Sequence, residues 1–147
     1  MRTECFEKID HDHGHKCTDI LCLKFADRAR SRGKGLSQNG IEIAWFLERG
    51  ESLQHGDVLK DANGNFYLVE AKPERMSVVK ANSVQLLMKV AYHLGNRHLS
   101  VELLSDRLVY QPDHVLDDMV TGLGAQITHE VLAFQPENGA YHSHGHE

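Results

Sequence analysis

The histidine at position 98 ends the segment Tyr-His-Leu-Gly-Asn-Arg-His of residues 92–98, which follows an apolar pattern with helical spacing. Gly95 and Asn96 are residue types that enter the left-handed backbone region at low energy. We therefore expect them to end the helix, turn the chain and fix the direction of the His98 imidazole. Imidazole binds nickel, copper and zinc, so His98 is a candidate metal ligand; the alternative is a solvated histidine that offsets the helix dipole.

Eleven histidines in 147 residues are an unusual number, and six of them lie in two clusters in which every second residue is histidine. In an extended chain this spacing puts three rings on one side. Each cluster is therefore a candidate flexible chelator, with a solvated polar tail or a purification tag as the alternative. The clusters are His11, His13 and His15, with the thiol of Cys17 nearby, and His142, His144 and His146.

Composition and charge narrow the classes of protein that fit this chain. The formal net charge of -5 with neutral histidines argues against a nucleic-acid partner. Apolar runs fall short of the roughly 20 residues that span a membrane, and the first residues do not resemble a signal peptide, so we expect a cytoplasmic protein. The three cysteines are an odd number without zinc-ribbon spacing, which predicts reduced thiols rather than a disulfide framework.

The first half of the chain carries the signals of a small β-domain. A strand is predicted over residues 18–25, and the Asn-Gly pairs at 39–40 and 63–64 predict hairpins with two-residue primed turns. Pro73 lacks the amide proton of a strand donor, so we expect pairing to end there and place a domain boundary at position 74. The predicted N-terminal all-β domain therefore covers residues 1–74.

The second half alternates between strand and helix periodicity. The predicted elements are a strand at 76–81, a helix capped by Asn82 or Ser83, strands at 99–104 and 107–110, a helix from Pro112-Asp113 to 123, and a strand at 127–134. This β-α-β-β-α-β order is that of the ferredoxin-like fold, so the fold class is α+β. The predicted domain covers residues 75–136, and the polar residues 137–147 predict a tail that is disordered without metal.

The remaining charged and histidine residues allow structural interpretations. Residues 27–35 are basic and lack interleaved aromatics, which is typical of an anion patch or of a solvated edge. His93 lies on an apolar helical stripe, which favours packing at a contact over metal binding. His55 and His129 stand alone in a loop and a strand, so we treat both as structural.

These motifs in this order resemble the UreE family of urease accessory metallochaperones. The resemblance rests on residues 92–98, on Asp-His-Val-Leu-Asp-Asp-Met at 113–119, on Leu123-Gly124, and on the histidine-bearing end after 134–137; it covers nearly the whole chain. It implies a β-domain likened to chaperone peptide-binding domains, a ferredoxin-like metal-binding domain, and a homodimer through the C-terminal domain. It further implies nickel delivery to apo-urease together with the accessory GTPase complex.

The resemblance also assigns roles to individual residues. His98 corresponds to the family's histidine that meets its symmetry mate around a metal, and His114 to a histidine at the start of the second helix. Pro112 stands where some members carry the first histidine of a His-x-His pair. The tail histidines match the family in kind, whereas the N-terminal cluster is supported by its spacing alone. Within the matched basic segment, the candidate partner-binding residues are Arg28, Arg30 and Arg32.

Competing functions use different features of the sequence. An enzyme would need a closed ligand set with an open coordination position and a base, and no His-Glu-x-x-His motif is present. An RNA-binding domain would need an aromatic platform, which strands 76–81 and 99–104 do not offer. The strongest rival to nickel delivery is a nickel or zinc buffer or storage protein, because storage uses the same ligands; zinc and copper also bind imidazole.

Overall fold

The computed structural model describes residues 2–10 and 16–137. The chain divides into two compact units, Met1–Lys72 and Pro73–Glu147. Histidines 11, 13, 15, 142, 144 and 146 lie outside the described residues. Within the described ranges, no helix is long and apolar enough to cross a membrane.

The first unit contains a six-stranded sheet in the order β2-β6-β5-β1-β4-β3. Its elements are β1 (Arg2–Ile9), β2 (Asp19–Leu23), α1 (Phe25–Arg28), β3 (Arg32–Leu36), β4 (Glu42–Phe46), β5 (Val58–Asp61) and β6 (Phe66–Ala71). Strand β1 runs parallel to β4 and antiparallel to β5. Strand β1 was not predicted from the sequence, because it is polar and Cys5 is its one buried residue.

Strand β3 packs closely against the core because Gly33 has no side chain. The fully buried Trp45 indole lies where a Cβ at position 33 would be, 2.5 Å from its nearest atom. The Trp45 Nε1 donates a hydrogen bond to the Arg30 carbonyl at 3.1 Å, so the polar atom of the largest core side chain has an acceptor.

The two predicted hairpins are confirmed, but their turns differ from the prediction. Strands β3 and β4 pair up to Leu36 and Glu42, and β5 and β6 pair up to Lys60 and Phe66, so both connections are longer than two residues. In each turn the glycine has a positive φ, 84° at Gly40 and at Gly64, and the preceding asparagine does not. A primed turn of type I′ needs positive φ at both positions, so the Asn-Gly signal correctly located the reversals and misjudged the turn.

Asp61 organises the turn between β5 and β6. Its carboxylate accepts hydrogen bonds from Tyr67 Oη at 2.8 Å, from the backbone amides of Asn63 and Asn65 at 2.9 Å each, and from Thr3 Oγ1 at 3.1 Å. Burial alone would raise the pKa of Asp61, but these hydrogen bonds outweigh it and the pKa lies below its usual value. The ionised carboxylate is therefore the form that stabilises the unit.

Replacing Asp61 with alanine should lower the free energy of unfolding by about 3 kcal/mol, because the buried Tyr67 hydroxyl and several partly buried donors lose their acceptor. A lowered folded-state pKa stabilises above the unfolded pKa of about 4, and this contribution is lost as the pH falls through the folded value. Urea denaturation at pH 7 and pH 3 measures both effects. Asp61→Asn, which keeps an acceptor oxygen without the charge, should show a smaller loss and a flatter pH dependence; a wild-type pH dependence in that variant would contradict this assignment.

The second unit has the order strand, helix, strand, strand, helix, strand. Its elements are β7 (Pro73–Lys80), α2 (Val84–Gly95), β8 (Val101–Leu103), β9 (Leu108–Tyr110), α3 (His114–Gly122) and β10 (Gln126–Ala133). They form a four-stranded sheet in the order β10-β7-β9-β8, in which all neighbours are antiparallel. Helix and strand residues share one core that includes Val79, Val90, Leu94, Tyr110 and Val120.

The expectation that pairing stops at Pro73 is wrong. Pro73 is the first residue of β7 and lies opposite Ala133 in β10. The first position of a strand tolerates proline, because the missing donor there costs the ladder little. The division between the two units nevertheless falls immediately before this residue.

Candidate metal centre

Helix α2 positions His98. Ser83 caps its start by accepting a hydrogen bond from the Leu86 amide at 3.1 Å, as the sequence predicted for Asn82 or Ser83. At the other end Asn96 stays in the right-handed region, with φ -67°, and its amide donates to the Tyr92 carbonyl. The His98 amide donates to the Gly95 carbonyl at 3.0 Å, which continues the turn to the histidine.

The left-handed residue at this helix end is His98 itself, not Gly95 or Asn96. Its φ is 59°, and among the described residues no other non-glycine residue has a positive φ. This backbone conformation costs about 1–2 kcal/mol for a residue with a Cβ, and glycine would avoid that cost. The exposed His98 ring is therefore presented at an energetic cost, which is typical of a functional position.

The chain after β10 returns toward the residues that follow His98. The Glu137 amide donates to the Val101 carbonyl at 2.8 Å, and the Gln135 amide donates to Glu102 Oε1 at 3.0 Å. Residues 138–147 therefore start from a point bound to β8, three residues after His98 in sequence. The residue that precedes the histidine-bearing segment is thus hydrogen-bonded to a residue only three positions after the candidate ligand His98.

His114 is the first residue of α3 and is exposed. Asp113 caps this helix, since its Oδ1 accepts from the amides of Val115 at 2.9 Å and Leu116 at 3.2 Å. A depression of about 470 Å³ lies beside the helix start and is lined by His114, Pro112 and His129, among others. His114 therefore faces a concave surface that it shares with a second imidazole.

His129 belongs to a polar network that runs from the surface to buried side chains, and it is not isolated. Its Nε2 lies 2.9 Å from Asp117 Oδ2, and Ser77 Oγ donates to Asp117 Oδ1 at 2.9 Å. Tyr110 Oη donates to the same Oδ1. Burial would raise the pKa of Asp117, but the bonds from Tyr110, His129 and Ser77 outweigh it and hold that pKa below its usual value. Burial first, and then Asp117, raise the pKa of the Tyr110 hydroxyl.

This network was not predicted from the sequence, because its members lie far apart in the chain. Asp117 and His129 are twelve residues apart, and Ser77 is forty residues from Asp117. The one available signal was that His129 falls in a strand next to a helix that bears several aspartates. Pairing of β10 with β7, which places His129 opposite Ser77, brings the groups together.

Residues 2–10 and 16–137 contain no group of three or more His, Cys, Asp or Glu side chains arranged to hold a metal ion. Within those ranges, His98 is therefore not part of a group of three such side chains. Cys17 is half-buried within the described residues, whereas the N-terminal histidine cluster that it was predicted to assist lies outside them.

The other histidines have structural surroundings. His55 Nδ1 accepts a hydrogen bond from the Ala71 amide at 3.1 Å, in agreement with its structural interpretation. The half-buried His93 ring contacts the Tyr92 ring edge-on, with centroids 5.4 Å apart. These contacts explain both residues without a metal.

The three arginines proposed for partner binding have different environments. Arg28 is 1% exposed, and its Nε donates to the Leu23 carbonyl at 3.2 Å. The prediction that Arg28 binds a partner is therefore wrong. Its guanidinium also lies 5.8 Å from the centre of the Phe25 ring. Arg30 and Arg32 are exposed, and Arg32 lies 6.0 Å from the centre of the Phe46 ring. A buried guanidinium cannot dock a partner, which leaves Arg30 and Arg32 as candidates.

Comparison with known proteins covers both units. The family model described as UreE urease accessory protein, N-terminal domain, matches residues 5–72, and the corresponding C-terminal domain model matches residues 74–147. A protein of Teredinibacter turnerae named urease accessory protein UreE is 44% identical over 97% of this chain and 92% of its own length. A protein of the same name from a Nostoc species is 45% identical over 88% of this chain and 89% of its own length.

Proposed function

The chain belongs to the UreE family of urease accessory proteins, and from this premise we propose that it is a nickel-binding metallochaperone that delivers nickel to apo-urease. Nickel is the cargo of this function. The observation that carries the proposal within the molecule is His98, an exposed imidazole at the end of α2 with a left-handed backbone. The named relatives are accessory proteins, which supports a non-enzymatic role.

We assign a ferredoxin-like fold to the second domain, within residues 75–136, and an all-β domain to residues 1–74. The strand and helix order of the second unit and its antiparallel order β10-β7-β9-β8 support the first assignment. The division into compact units supports the limits to within two residues of position 74. Residues 137–147 are then the histidine-bearing tail.

We further propose a homodimer through the C-terminal domain, in which the two copies of His98 share one metal ion. One imidazole alone binds nickel weakly, whereas a two-fold axis brings together two imidazoles, one from each chain. Helix α2 supports this arrangement, because Val84, Met88 and Tyr92 are spaced by four residues and are 71%, 64% and 69% exposed. Such an apolar stripe is typical of a helix that packs against a partner.

The tail histidines, His142, His144 and His146, are proposed as supplementary ligands. Glu137 is bound to Val101, and His142 is five positions further along the chain. Extended chain spans up to about 3.5 Å per residue, so five residues cover about 17 Å and the three from Val101 back to His98 about 10 Å. The tail is therefore long enough to bring imidazole to His98. Cys17 with His11, His13 and His15 forms a second proposed chelating segment.

The proposed partners are urease and its accessory GTPase complex in the cytoplasm. Arg30 and Arg32 are exposed on the first domain and are the candidate contacts for acidic groups of a partner. The rival proposal is a nickel or zinc buffer that delivers nothing. The two functions use the same ligands and differ in what happens to urease when nickel is scarce.

Nickel-loaded protein should raise the activation of apo-urease by its accessory complex, most clearly when free nickel is limiting and a competing chelator is present. Delivery keeps the ion bound until hand-over, whereas a buffer withholds it. Urease activity after reconstitution measures the difference, with the same nickel supplied as a small-molecule chelate of matched affinity as the control. Equal or lower activation with the protein than with the chelate would favour buffering.

A further inference from the structure

We propose that residues 134–137, the crossing segment, fix the starting point of the histidine-bearing tail, and that Glu102 is the positioning residue that holds this segment in place. The inference rests on the proposed function, in which tail histidines supplement His98 as nickel ligands. It identifies the part of the chain that sets the length of the tether between those histidines and the folded domain. In this role Glu102 binds no metal and acts through the backbone amide of Gln135.

The crossing segment connects the two edges of the second sheet. The sheet order is β10-β7-β9-β8, so β10 and β8 are its outermost strands. Strand β10 ends at Ala133, and four residues later the Glu137 amide donates to the Val101 carbonyl of β8 at 2.8 Å. The chain therefore passes β7 and β9 and leaves the sheet at the edge that follows His98 in sequence, not at the edge formed by its last strand.

The segment crosses on the face of the sheet opposite α3. Tyr110 faces this helix, because its hydroxyl donates to Asp117. Val109, the preceding residue of β9, therefore points to the other face, since successive strand residues alternate. Glu102 lies directly opposite Val109 and shares its face. Since Glu102 Oε1 accepts from the Gln135 amide at 3.0 Å, the crossing segment lies on that face as well.

The length of the crossing segment leaves it no slack. Adjacent strands are about 4.8 Å apart, so three spacings separate β10 from β8 by about 14 Å. Four residues of fully extended chain span about 14 Å at most. Pro136 favours the extended form, because proline disfavours the helical conformation of the residue before it, here Gln135. The segment must therefore stay extended for the Glu137 amide to reach Val101.

Three contacts hold the crossing segment at its start, middle and end. The Phe134 side chain is fully buried, the Gln135 amide is bound to Glu102, and the Glu137 amide is bound to Val101. A hydrogen bond to a carboxylate is about twice as strong as one between neutral groups. Glu102 is half-buried, which reduces competition from water for this bond. It is therefore the contact that a single substitution can remove without changing the core or the strand backbone.

Holding the chain at Glu137 shortens the tether of the tail histidines. His142 is five positions after Glu137 but nine positions after Ala133, where β10 ends. The effective concentration of a tethered ligand falls roughly as the −3/2 power of tether length, so release of the crossing segment should lower it about two- to threefold. Release also moves the start of the tether to the edge about 14 Å from β8. The crossing segment thus affects nickel binding through the tail.

Amide hydrogen exchange of the full-length protein tests whether Glu102 holds the segment. The Gln135 and Glu137 amides should be protected in the wild type. Glu102→Ala should speed exchange at both by about tenfold or more, because a hydrogen bond to a charged group is lost. Glu102→Gln is the matched control, since it keeps an acceptor oxygen and should retain most of the protection. Unprotected amides in the wild type, or unchanged exchange at Glu137 in Glu102→Ala, would overturn the proposal.

Nickel titration of the same variants tests the link to the tail. Glu102→Ala should weaken nickel binding about two- to threefold in the full-length protein and have no effect once the tail is deleted from His142 onward, whereas Glu102→Gln should bind like the wild type. Equal weakening with and without the tail, or no weakening when the segment is released, would overturn the inference. If deletion of the tail alone leaves nickel binding unchanged, the proposed ligand role of the tail is wrong, and the exchange rates still decide whether Glu102 holds the segment.

Discussion

Replacing His98 with alanine should remove one tight metal site per dimer and leave the protein folded and dimeric. Loss of an outer partner of a metal ligand costs about 10- to 100-fold in affinity, and loss of the ligand itself on both sides of a two-fold axis costs more. The described residues include no three-residue ligand group that could replace it. Metal titration with mass determination under native conditions gives ions per chain and oligomeric state in one measurement.

A second variant separates ligand loss from misfolding. His98→Gly removes the same imidazole, but glycine accepts the φ of 59° without the steric cost of a Cβ. This variant should therefore be more stable to unfolding than His98→Ala by about 1 kcal/mol, with the same loss of the metal site. A tight site that persists in both variants at wild-type affinity would contradict the symmetric-site proposal.

Local signals were sufficient to predict most of the elements. Helix α2 was predicted from its apolar spacing and Ser83 cap, and both Asn-Gly reversals were located from two residues each. These features are determined by residues that are close together in the sequence. Turn geometry was harder, because the choice between a primed turn and a longer loop depends on how the flanking strands pair.

What the sequence could not predict depends on contacts between distant residues. Arg28 lies in a basic segment and resembles a surface cation, yet it is buried at the end of α1, where its carbonyl accepts a hydrogen bond from the distant Leu53 amide. Strand β1 is polar on most positions and is placed in the middle of the sheet by pairing with both β4 and β5. Its burial pattern contains no alternation that periodicity could detect.

The candidate site likewise has one part that local sequence predicts and one part that depends on distant contacts. His98 was identified from a local motif, and its position after the helix end is correct, but the residue that takes the left-handed conformation was assigned wrongly to Gly95 and Asn96. The bond between His129 and Asp117 requires the β10 to β7 register and the position of α3 together. The sequence signal for this pair, a strand histidine that follows a helix with aspartates, does not specify which residues meet.

In the urease activation assay, loss of His98 should impair delivery more than loss of the tail does. His98→Ala removes the site around which hand-over is proposed, so activation at limiting nickel should fall by about tenfold or more, in line with the lost affinity. Deleting residues from His142 onward should lower the number of bound ions and reduce activation less, because the two His98 rings still hold one ion. The deletion should leave dimerisation intact, since α2 carries the proposed contact.

We expect the larger effect from His98→Ala because, on this proposal, the tail captures nickel and His98 transfers it. On this proposal, tail imidazoles that follow the Val101-bound Glu137 would act at high local concentration, exchange with the His98 ligands one at a time and pass the ion on without releasing it to water. Capture capacity then depends on the number of tail histidines, whereas transfer depends on His98. The assay compares wild type, His98→Ala and the truncation at equal total nickel with a chelator present. Stronger impairment by the truncation than by His98→Ala would assign hand-over to the tail, and equal activation by all three and by no added protein would exclude delivery and leave metal buffering as the function.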